Sequence, residues 1–348
     1  LFLCFFIGFA FKAGFVPFHS WLPHAHPAAP SHISGVMSGV IVKIGIYGII
    51  RMALMLENDL ILIGESILVL SIITGIYGIL NASVHRDFKK MLAYCTIENI
   101  GIIGAGIGIA LIGKGINNSA LLVIGLSGAL LHTLNHSLFK SLLFLSAGSV
   151  YRQIHTRDME KLGGLIHKMP QTAVLFLTGA LAIGGLPPFN GFVSEFLIYT
   201  GFLNGIKTMG LIHSTLMVLS FAGLAFIGGL SLLTFTKSFG TIFLGSPRTQ
   251  FHQTPSEVSL LMRIPQFIIL AVMLSIGIFP QFYFSAVLHI IGSVIPSAEI
   301  SDISSFQTMT ALMAETGKYS LFFLILLILV FLGRPSITLC CLSWSSTG

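Results

Sequence analysis

Charged side chains are scarce in this chain of 348 residues. Lys, Arg, Asp and Glu together make up 9% of it, whereas a soluble domain carries about 25%. Apolar residues make up 54%, and the mean hydropathy is +0.93. A soluble fold needs charge over its surface and could not hide this much apolar area. The composition therefore excludes a soluble globular enzyme and a disordered chain.

Cysteine is scarce as well. The four cysteines are Cys4, Cys95, Cys340 and Cys341, without a C-x-x-C pair or a histidine at ligand spacing. Iron–sulfur clusters and structural zinc sites need clustered thiolates, and a secreted scaffold needs many disulfides. The sequence also offers no strand followed by a glycine loop that would bind a dinucleotide. We therefore expect no cofactor, no metal and no catalytic residue in this chain.

Long apolar segments fill most of the sequence. A helix needs about 20 residues to cross a hydrocarbon core of roughly 30 Å. About nine segments reach that length, which predicts an all-α, polytopic transmembrane bundle. The predicted spans are 1–22, 31–54, 59–81, 90–113, 119–149, 170–205, 209–236, 264–295 and 318–333.

Helix-breaking residues interrupt two of these spans. Gly14 and Pro17 lie inside the first, and a Gly-Gly-Leu-Pro-Pro run at 184–188 lies inside the sixth. Proline removes a helical hydrogen bond and clashes with the preceding turn, so both spans are predicted to be broken helices. The segments 264–295, which contains Pro280, and 119–149 are further candidates for a bend or a split.

The loop charges are unevenly distributed. If the spans alternate, one side receives Arg86, Lys89, Lys90, Arg152, Arg157, Lys161, Lys168, Lys237, Arg248, Arg263 and Arg334, and the other receives Arg51, Lys114, Lys207 and Lys318. Cytoplasmic loops carry an excess of Lys and Arg, so the richer end is predicted to be cytoplasmic. Because these charges are scattered over short loops, they do not form a nucleic-acid-binding face.

Three lysines remain, and all three fall inside predicted spans. Lys12, Lys43 and Lys140 each place an ammonium group at bilayer depth, which costs about 2.5–3.5 kcal/mol on insertion scales. Such a residue persists where it lines a hydrated path or meets a partner. Lys12 precedes the first break, where freed carbonyls need protein or water. Snorkelling to an interface is the alternative for Lys12 and Lys43, and their depth disfavours it.

Two histidines share a helix face with one of these lysines. His132, His136 and Lys140 are spaced four residues apart, so they form a stripe along one helix. Histidine titrates near neutral pH, and such a stripe suits a proton relay with bridging waters. A packing stripe and a metal site are the alternatives. Metal is the weakest of the three, because no carboxylate ligand accompanies the two histidines.

Two glutamates are the acidic candidates. Glu195 follows the second break, where a carboxylate is placed as Lys12 is beside the first. Glu98 lies about two turns into its predicted helix. It either lines the same path or pairs with Lys89 or Lys90 near the interface, and the sequence favours neither reading.

Four histidines surround the turn after the first span, namely His19, His24, His26 and His32. Solvation is the default expectation for histidines at such a turn. A region where protons enter or leave the membrane is the alternative.

Four ordered motifs carry a family resemblance. Residues 11–23 (FKAGFVPFHSWLP) with 28–31 (AAPS), 42–48 (VKIGIYG), 132–145 and 185–195 resemble the central motifs of antiporter-like proton-pumping subunits. That superfamily comprises large membrane subunits of respiratory complex I, multisubunit sodium/proton antiporters and the membrane arms of energy-converting hydrogenases. Residues 96–101 (TIENIG) resemble the hydrogenase branch, in particular the large membrane subunit of formate hydrogenlyase and hydrogenase-4-like complexes.

The resemblance implies roles, partners and boundaries. It implies proton translocation through Lys12, Lys43, His132, His136, Lys140, Glu195 and Glu98. The implied partners are other membrane subunits and, through them, a peripheral nickel–iron hydrogenase arm with iron–sulfur subunits, in a prokaryotic inner membrane. A sodium/proton antiporter subunit or a complex I subunit is the alternative function. We assign 1–235 to the antiporter-like domain, 236–333 to additional helices and 334–348 to an atypical tail.

The start of the sequence suggests a segment of a longer protein. Leu1 is not an initiator methionine, and the first apolar run has no basic flank. Members of the superfamily carry an earlier-helix glutamate that pairs with the central lysine. We expect that glutamate to precede Leu1, so the chain as given should not pump protons by itself.

Overall fold

A computed structural model of the chain describes residues 2–250, 254–295 and 303–332. The tail 334–348 and Arg334 lie outside the described residues. The helices in chain order are α1 (Phe2–Ala13), α2 (Leu22–Ala28), α3 (Ser31–Val36), α4 (Val42–Leu54), α5 (Leu60–Val84), α6 (Phe88–Gly115), α7 (Ser119–Ile154), α8 (Pro170–Ile183), α9 (Asn190–Thr208), α10 (Leu211–Phe243), α11 (Leu260–Ile278), α12 (Pro280–Val294) and α13 (Ile303–Leu332).

Seven helical segments in this described part are long and apolar enough to cross a bilayer. They are Ser31–Leu54, Leu60–Val84, Phe88–Gly115, Ser119–Ile154, Leu211–Phe243, Leu260–Ile278 and Gln307–Leu329. The first of them joins α3 to α4 through a π-helical turn at Met37–Ile41, which the sequence reading missed. The prediction of an all-α, polytopic membrane bundle is confirmed.

The first predicted break is present between α1 and α2. Gly14 has a φ of +88°, a conformation that glycine adopts without a steric penalty. The backbone N–H of Phe15 bonds to the carbonyl of Ala10, which leaves the carbonyl of Phe11 without its helical donor. The indole N–H of Trp21 donates to that carbonyl at 2.9 Å. A side chain from beyond the break thus satisfies a backbone group that the break exposes.

The second predicted break separates α8 from α9. Gly185 has a φ of +66°, and two proline residues follow it before α9 begins at Asn190. A further split occurs at Pro280, where α11 ends and α12 begins. By contrast, α7 is one unbroken helix from Ser119 to Ile154. The assigned boundary at residue 235 lies inside α10.

Glycine lets α5 and α6 pack backbone against backbone. A Cβ atom on Gly101 would lie 2.5 Å from the backbone N of Gly75, and one on Gly108 would lie 2.8 Å from the carbonyl O of Gly64. Small residues allow this approach between membrane helices. The apolar stretch of α6 is entirely buried inside the bundle, so α6 forms its centre.

The loops gather at two ends of the bundle, as alternating spans require. At the end predicted to be cytoplasmic, Asp87 and Asp158 form a β-bridge, and the N–H of Gly164 bonds to the carbonyl of Leu244. At the other end, Nδ1 of His213 in α10 lies 2.5 Å from Oε1 of Glu65 in α5. The basic loops therefore share one end of the molecule.

Candidate functional site

The second lysine of the predicted series meets the histidine stripe. The ammonium Nζ of Lys43 lies 2.8 Å from Nδ1 of His136 and also donates to the carbonyl O of Ser38. That carbonyl belongs to the π-helical turn before α4, a feature often found at functional positions. Because an ammonium group is a donor only, His136 accepts at Nδ1. Lys43 and His136 are therefore positioned for direct proton exchange.

One turn earlier on α7, His132 is fully buried and bonded on both ring nitrogens. Nε2 lies 3.1 Å from Oδ1 of Asn99, and Nδ1 lies 2.9 Å from the hydroxyl Oγ of Ser194. Since the amide nitrogen of Asn99 donates to the carbonyl of Cys95, Oδ1 of Asn99 is the acceptor and His132 carries its proton on Nε2. Helices α6, α7 and α9 thus meet at this ring.

An amide pair attaches the second break to α7. The side-chain nitrogen of Asn135 donates to the backbone carbonyl of Asn190 at 2.7 Å and to Ser194 Oγ at 2.9 Å. In return, the side-chain nitrogen of Asn190 donates to Oδ1 of Asn135 at 3.1 Å. Asn135 and Asn190 are fully buried. This pair fixes the start of α9 against the histidine stripe.

Lys140 completes the stripe and is also fully buried. Its Nζ donates to the carbonyl O of Leu92 at 2.8 Å. That carbonyl accepts a second bond from Thr96 Oγ1 at 3.1 Å, and Thr96 in turn lies 2.8 Å from the hydroxyl of Ser38. The surroundings of Lys140 are thus linked back to the π-helical turn that holds Lys43.

The two predicted glutamates lie near each other, and Glu98 lies near Lys140. Glu98 is fully buried beside Cys95 and Ser231, and its carboxyl group interacts electrostatically with Lys140 and with Glu195. Lys89, the surface partner considered for Glu98, donates instead to the carbonyl of Ala29 at 2.7 Å. Glu98 therefore lies among the buried polar groups and is not paired with Lys89 near the interface.

Glu195 lies against the second break. Its side chain is 8% exposed, and a Cβ atom on Gly185 would lie 2.5 Å from its Oε2. The carboxyl group therefore occupies the space that a side chain at Gly185 would fill. Because the break exposes backbone at this depth, the carboxylate lies where irregular backbone lines a polar interior.

Two predicted residues are placed differently from the sequence expectation. Lys12 is exposed on the face of α1 opposite Ala10 and Ala13 and does not join the buried groups. His26 was expected to be solvated, and that is wrong. Its ring is fully buried and stacks on Phe144 with centroids 4.8 Å apart, because α2 packs inward on α6. His24 and His32 are exposed as expected.

The site therefore joins six of the seven predicted residues through four helices. Sequence reasoning missed the polar groups that connect them, namely Asn99, Asn135, Asn190 and Ser194. Asn135 lies within the His132–Lys140 run, directly before His136, so a second polar residue inside this apolar helix was an available signal. Within the described ranges, no set of three His, Cys, Asp or Glu side chains converges as metal ligands would.

Comparison with known proteins agrees with this architecture. Residues 1–221 match the family described as NADH:quinone oxidoreductase/Mrp antiporter, TM. Hydrogenase-4 component B of Escherichia coli K12 is 41% identical over 293 residues, which are 83% of this chain and 44% of that protein. Formate hydrogenlyase subunit 3 of the same organism is 42% identical over 258 residues, covering 74% of this chain and 42% of that protein.

Solved structures share the fold at lower identity. A chain of the Mrp complex from Dietzia superposes with a TM-score of 0.70 at 22% identity, covering 89% of this chain and 60% of that one. A chain of respiratory complex I from Thermus thermophilus gives a TM-score of 0.65 at 23% identity, covering 91% and 58%. The chain spans less than half the length of the two Escherichia coli relatives. It is a polytopic, antiporter-like membrane protein and belongs to the NADH:quinone oxidoreductase/Mrp antiporter transmembrane family.

Proposed function

We propose that this chain is part of a non-redox, proton-translocating membrane subunit of an energy-converting hydrogenase. The observation that carries the proposal is a buried polar series, of which only Lys43 is half-buried: Lys43, His132, His136, Lys140, Glu98 and Glu195. Buried charges are expensive in a membrane protein, and they mark proton or ion pathways. A scaffold would gain nothing from their insertion cost.

The hydrogen bonds of His132 suit a group that gains and loses a proton. With His132 neutral, the Ser194 hydroxyl donates to its Nδ1. With His132 protonated, Nδ1–H donates to Ser194 Oγ, and the hydroxyl turns to the carbonyl of Gly191, 3.1 Å away. Both states keep each of these groups hydrogen-bonded, so a change in the proton count of His132 leaves none of them without a partner.

The redox partner is proposed from the relatives. The names of the two Escherichia coli relatives place them in hydrogenase-4 and formate hydrogenlyase. By analogy, a peripheral nickel–iron and iron–sulfur arm would change the charge at one end of the series, and the charge would pass along the membrane plane. We assign the complex to the prokaryotic inner membrane, with no cofactor in this chain.

Lys140→Met in the full-length complex tests the proposal. Methionine keeps the length and removes the exchangeable amine, and the Leu92 carbonyl keeps its bond from Thr96. We expect proton uptake into proteoliposomes to fall at least ten-fold, because an interrupted path has no other exchangeable amine at that point. The complex should still assemble, since the substitution removes a buried charge. Lys168→Met, in an exposed loop, is the matched control.

The measurement also separates the alternative function. Proton uptake is followed with a pH-sensitive dye beside hydrogen evolution, with and without sodium. Uptake that requires sodium and proceeds without redox turnover would favour a sodium/proton antiporter subunit. Undiminished uptake at normal turnover in Lys140→Met would contradict the proposal in either form.

A further inference from the structure

A cleft opens at the basic end of the bundle, outside the buried polar series. It has a volume of about 590 Å³. Four elements meet there: the α2–α3 junction, the start of α6, the end of α7 and the start of α11. Since α6, α7 and α11 are membrane-spanning helices that begin or end at this point, the cleft lies at the depth of the lipid headgroups.

Cationic side chains line the cleft. Lys89, Arg152 and Arg157 line it, whereas no carboxylate is among its lining residues. Lys89 is held by its bond to the Ala29 carbonyl at 2.7 Å, and its Nζ lies 5.9 Å from the ring centre of Tyr151. The cleft therefore carries fixed positive charge.

Arg157 is equally well positioned. It donates to the carbonyl of Pro27 at 2.5 Å and lies 3.3 Å from the carboxylate of Asp87. Asp87 offsets one of the three cations, and Lys89 and Arg152 leave an excess of positive charge. Arg152 is exposed at the rim, where its guanidinium can approach an anion with a bidentate geometry.

Apolar residues line the cleft beside these cations. Leu145, Gly148 and Met262 line it, together with Pro30. A small soluble anion would leave this apolar surface exposed, whereas an acyl chain would bury it and so stabilise binding. The cleft thus combines cations that can bind an anion with apolar surface that suits a hydrocarbon chain.

We propose that this cleft binds the phosphate headgroup of an anionic phospholipid. The phosphodiester would contact Arg152 and Lys89, and an acyl chain would lie along Leu145 and Met262. Basic pockets between membrane helices on the cytoplasmic side recognise lipid headgroups in this way. The inference does not depend on proton translocation, because none of these residues belongs to the buried polar series.

The test compares lipids on the purified full-length protein in nanodiscs. Phosphatidylglycerol and phosphatidylcholine are offered at equal amounts, and the retained lipid is measured by native mass spectrometry. We expect wild type to retain phosphatidylglycerol about five-fold better than phosphatidylcholine, consistent with one or two cation contacts. Arg152→Gln should lose most of this preference. Arg86→Gln, an exposed arginine at the same end that does not line the cleft, should keep it.

Inorganic phosphate is the second probe, because its anion is chemically similar but has no acyl chain. It should fail to displace bound phosphatidylglycerol at concentrations near those of a physiological buffer. Displacement by phosphate, equal retention of both lipids by wild type, or equal losses in Arg152→Gln and Arg86→Gln would each overturn the proposal.

Discussion

At the scale of single residues, the ionisable groups on α7 have two kinds of hydrogen-bond partner. Lys43 and His136 share one hydrogen bond of 2.8 Å across two helices, whereas His132 is bonded on both nitrogens to neutral partners. The first arrangement suits the transfer of a proton between two bases, and the second keeps one base hydrogen-bonded in either protonation state. Both kinds of group occur within two turns of α7.

Lys43 and His136 should therefore fail as a unit. We expect Lys43→Met and His136→Gln each to lower proton uptake in the full-length complex about ten-fold or more. Proton uptake by the double variant should be no lower than uptake by the more impaired single variant, because the effects of two residues that act in one step do not add. Proteoliposome uptake beside turnover measures this. Losses that multiply in the double variant would mean that the two residues act in separate steps.

Lys12 is exposed and lies outside the buried groups, so its prediction rests on its place beside the first helix break, where freed carbonyls need protein or water and a lysine can exchange protons. Lys12→Ala in the full-length complex should abolish or strongly reduce pumping and leave assembly largely intact. Lys12→Arg should fail similarly, since a guanidinium group keeps its proton. Membrane potential is measured at matched hydrogen or electron-transfer turnover. Normal pumping in both variants would remove Lys12 from the pathway.

At the scale of elements, the two broken helices and the π-helical turn place backbone irregularities beside ionisable groups. Glu195 lies against the break between α8 and α9, and Lys43 bonds to a carbonyl of the π-helical turn. The amide pair of Asn135 and Asn190 holds the second break to α7. The irregular backbone is therefore fixed by α7, the helix that carries the histidine stripe.

Gly185→Ala tests the link between the second break and its carboxylate. Its Cβ atom would collide with Oε2 of Glu195, and alanine at a φ of +66° adds backbone strain of about 1 kcal/mol. We expect a displaced Glu195 and proton uptake lowered several-fold. Gly245→Ala is the matched control, because Gly245 has a φ of +72° with open space around it. Equal effects of both variants on uptake would assign the loss to strain alone.

At the scale of the whole molecule, the loops divide into a basic end and an end where Glu57, Asp59 and Glu65 line a cleft with His213. This separation follows from spans that cross the bundle in alternation. It gives the protein an orientation through the excess of Lys and Arg. The lipid-binding cleft proposed above lies at the basic end.

Reporter fusions can measure that orientation. We expect alkaline phosphatase fused after Ser246 to be inactive, because that loop belongs to the basic end, which is predicted to be cytoplasmic. Fusion after Asn58 should give an active enzyme, since alkaline phosphatase folds outside the cytoplasm. A green fluorescent protein fused at the same two positions is the control and should give the reverse pattern. Activity after Ser246 would reverse the topology.

The sequence predicted both breaks and, of its nine spans, the seven that the described residues contain, because long apolar runs and Gly-Pro clusters act locally. The other two predicted spans, 1–22 and 170–205, are the broken ones. It also named the ionisable groups, because a charge inside an apolar run stands out. It missed Asn99 and Ser194, which bond to His132 from α6 and α9, and Asn135, which bonds to Ser194. It also missed the burial of His26 and the exposure of Lys12, since both depend on which helix packs against which face.

The close packing of α5 on α6 has a mechanical consequence. Backbone atoms at Gly75 and Gly101 are already in contact, and Gly78 lies just as close to the backbone of Glu98, so neither helix can slide or rotate without a clash. The two helices therefore behave as one rigid unit. Coupling to Glu98 through relative motion of α5 and α6 is therefore disfavoured, and electric fields, side-chain rotation and the entry of water are the routes that this packing leaves open. Coupling along this protein would then not require α6 to slide along its axis.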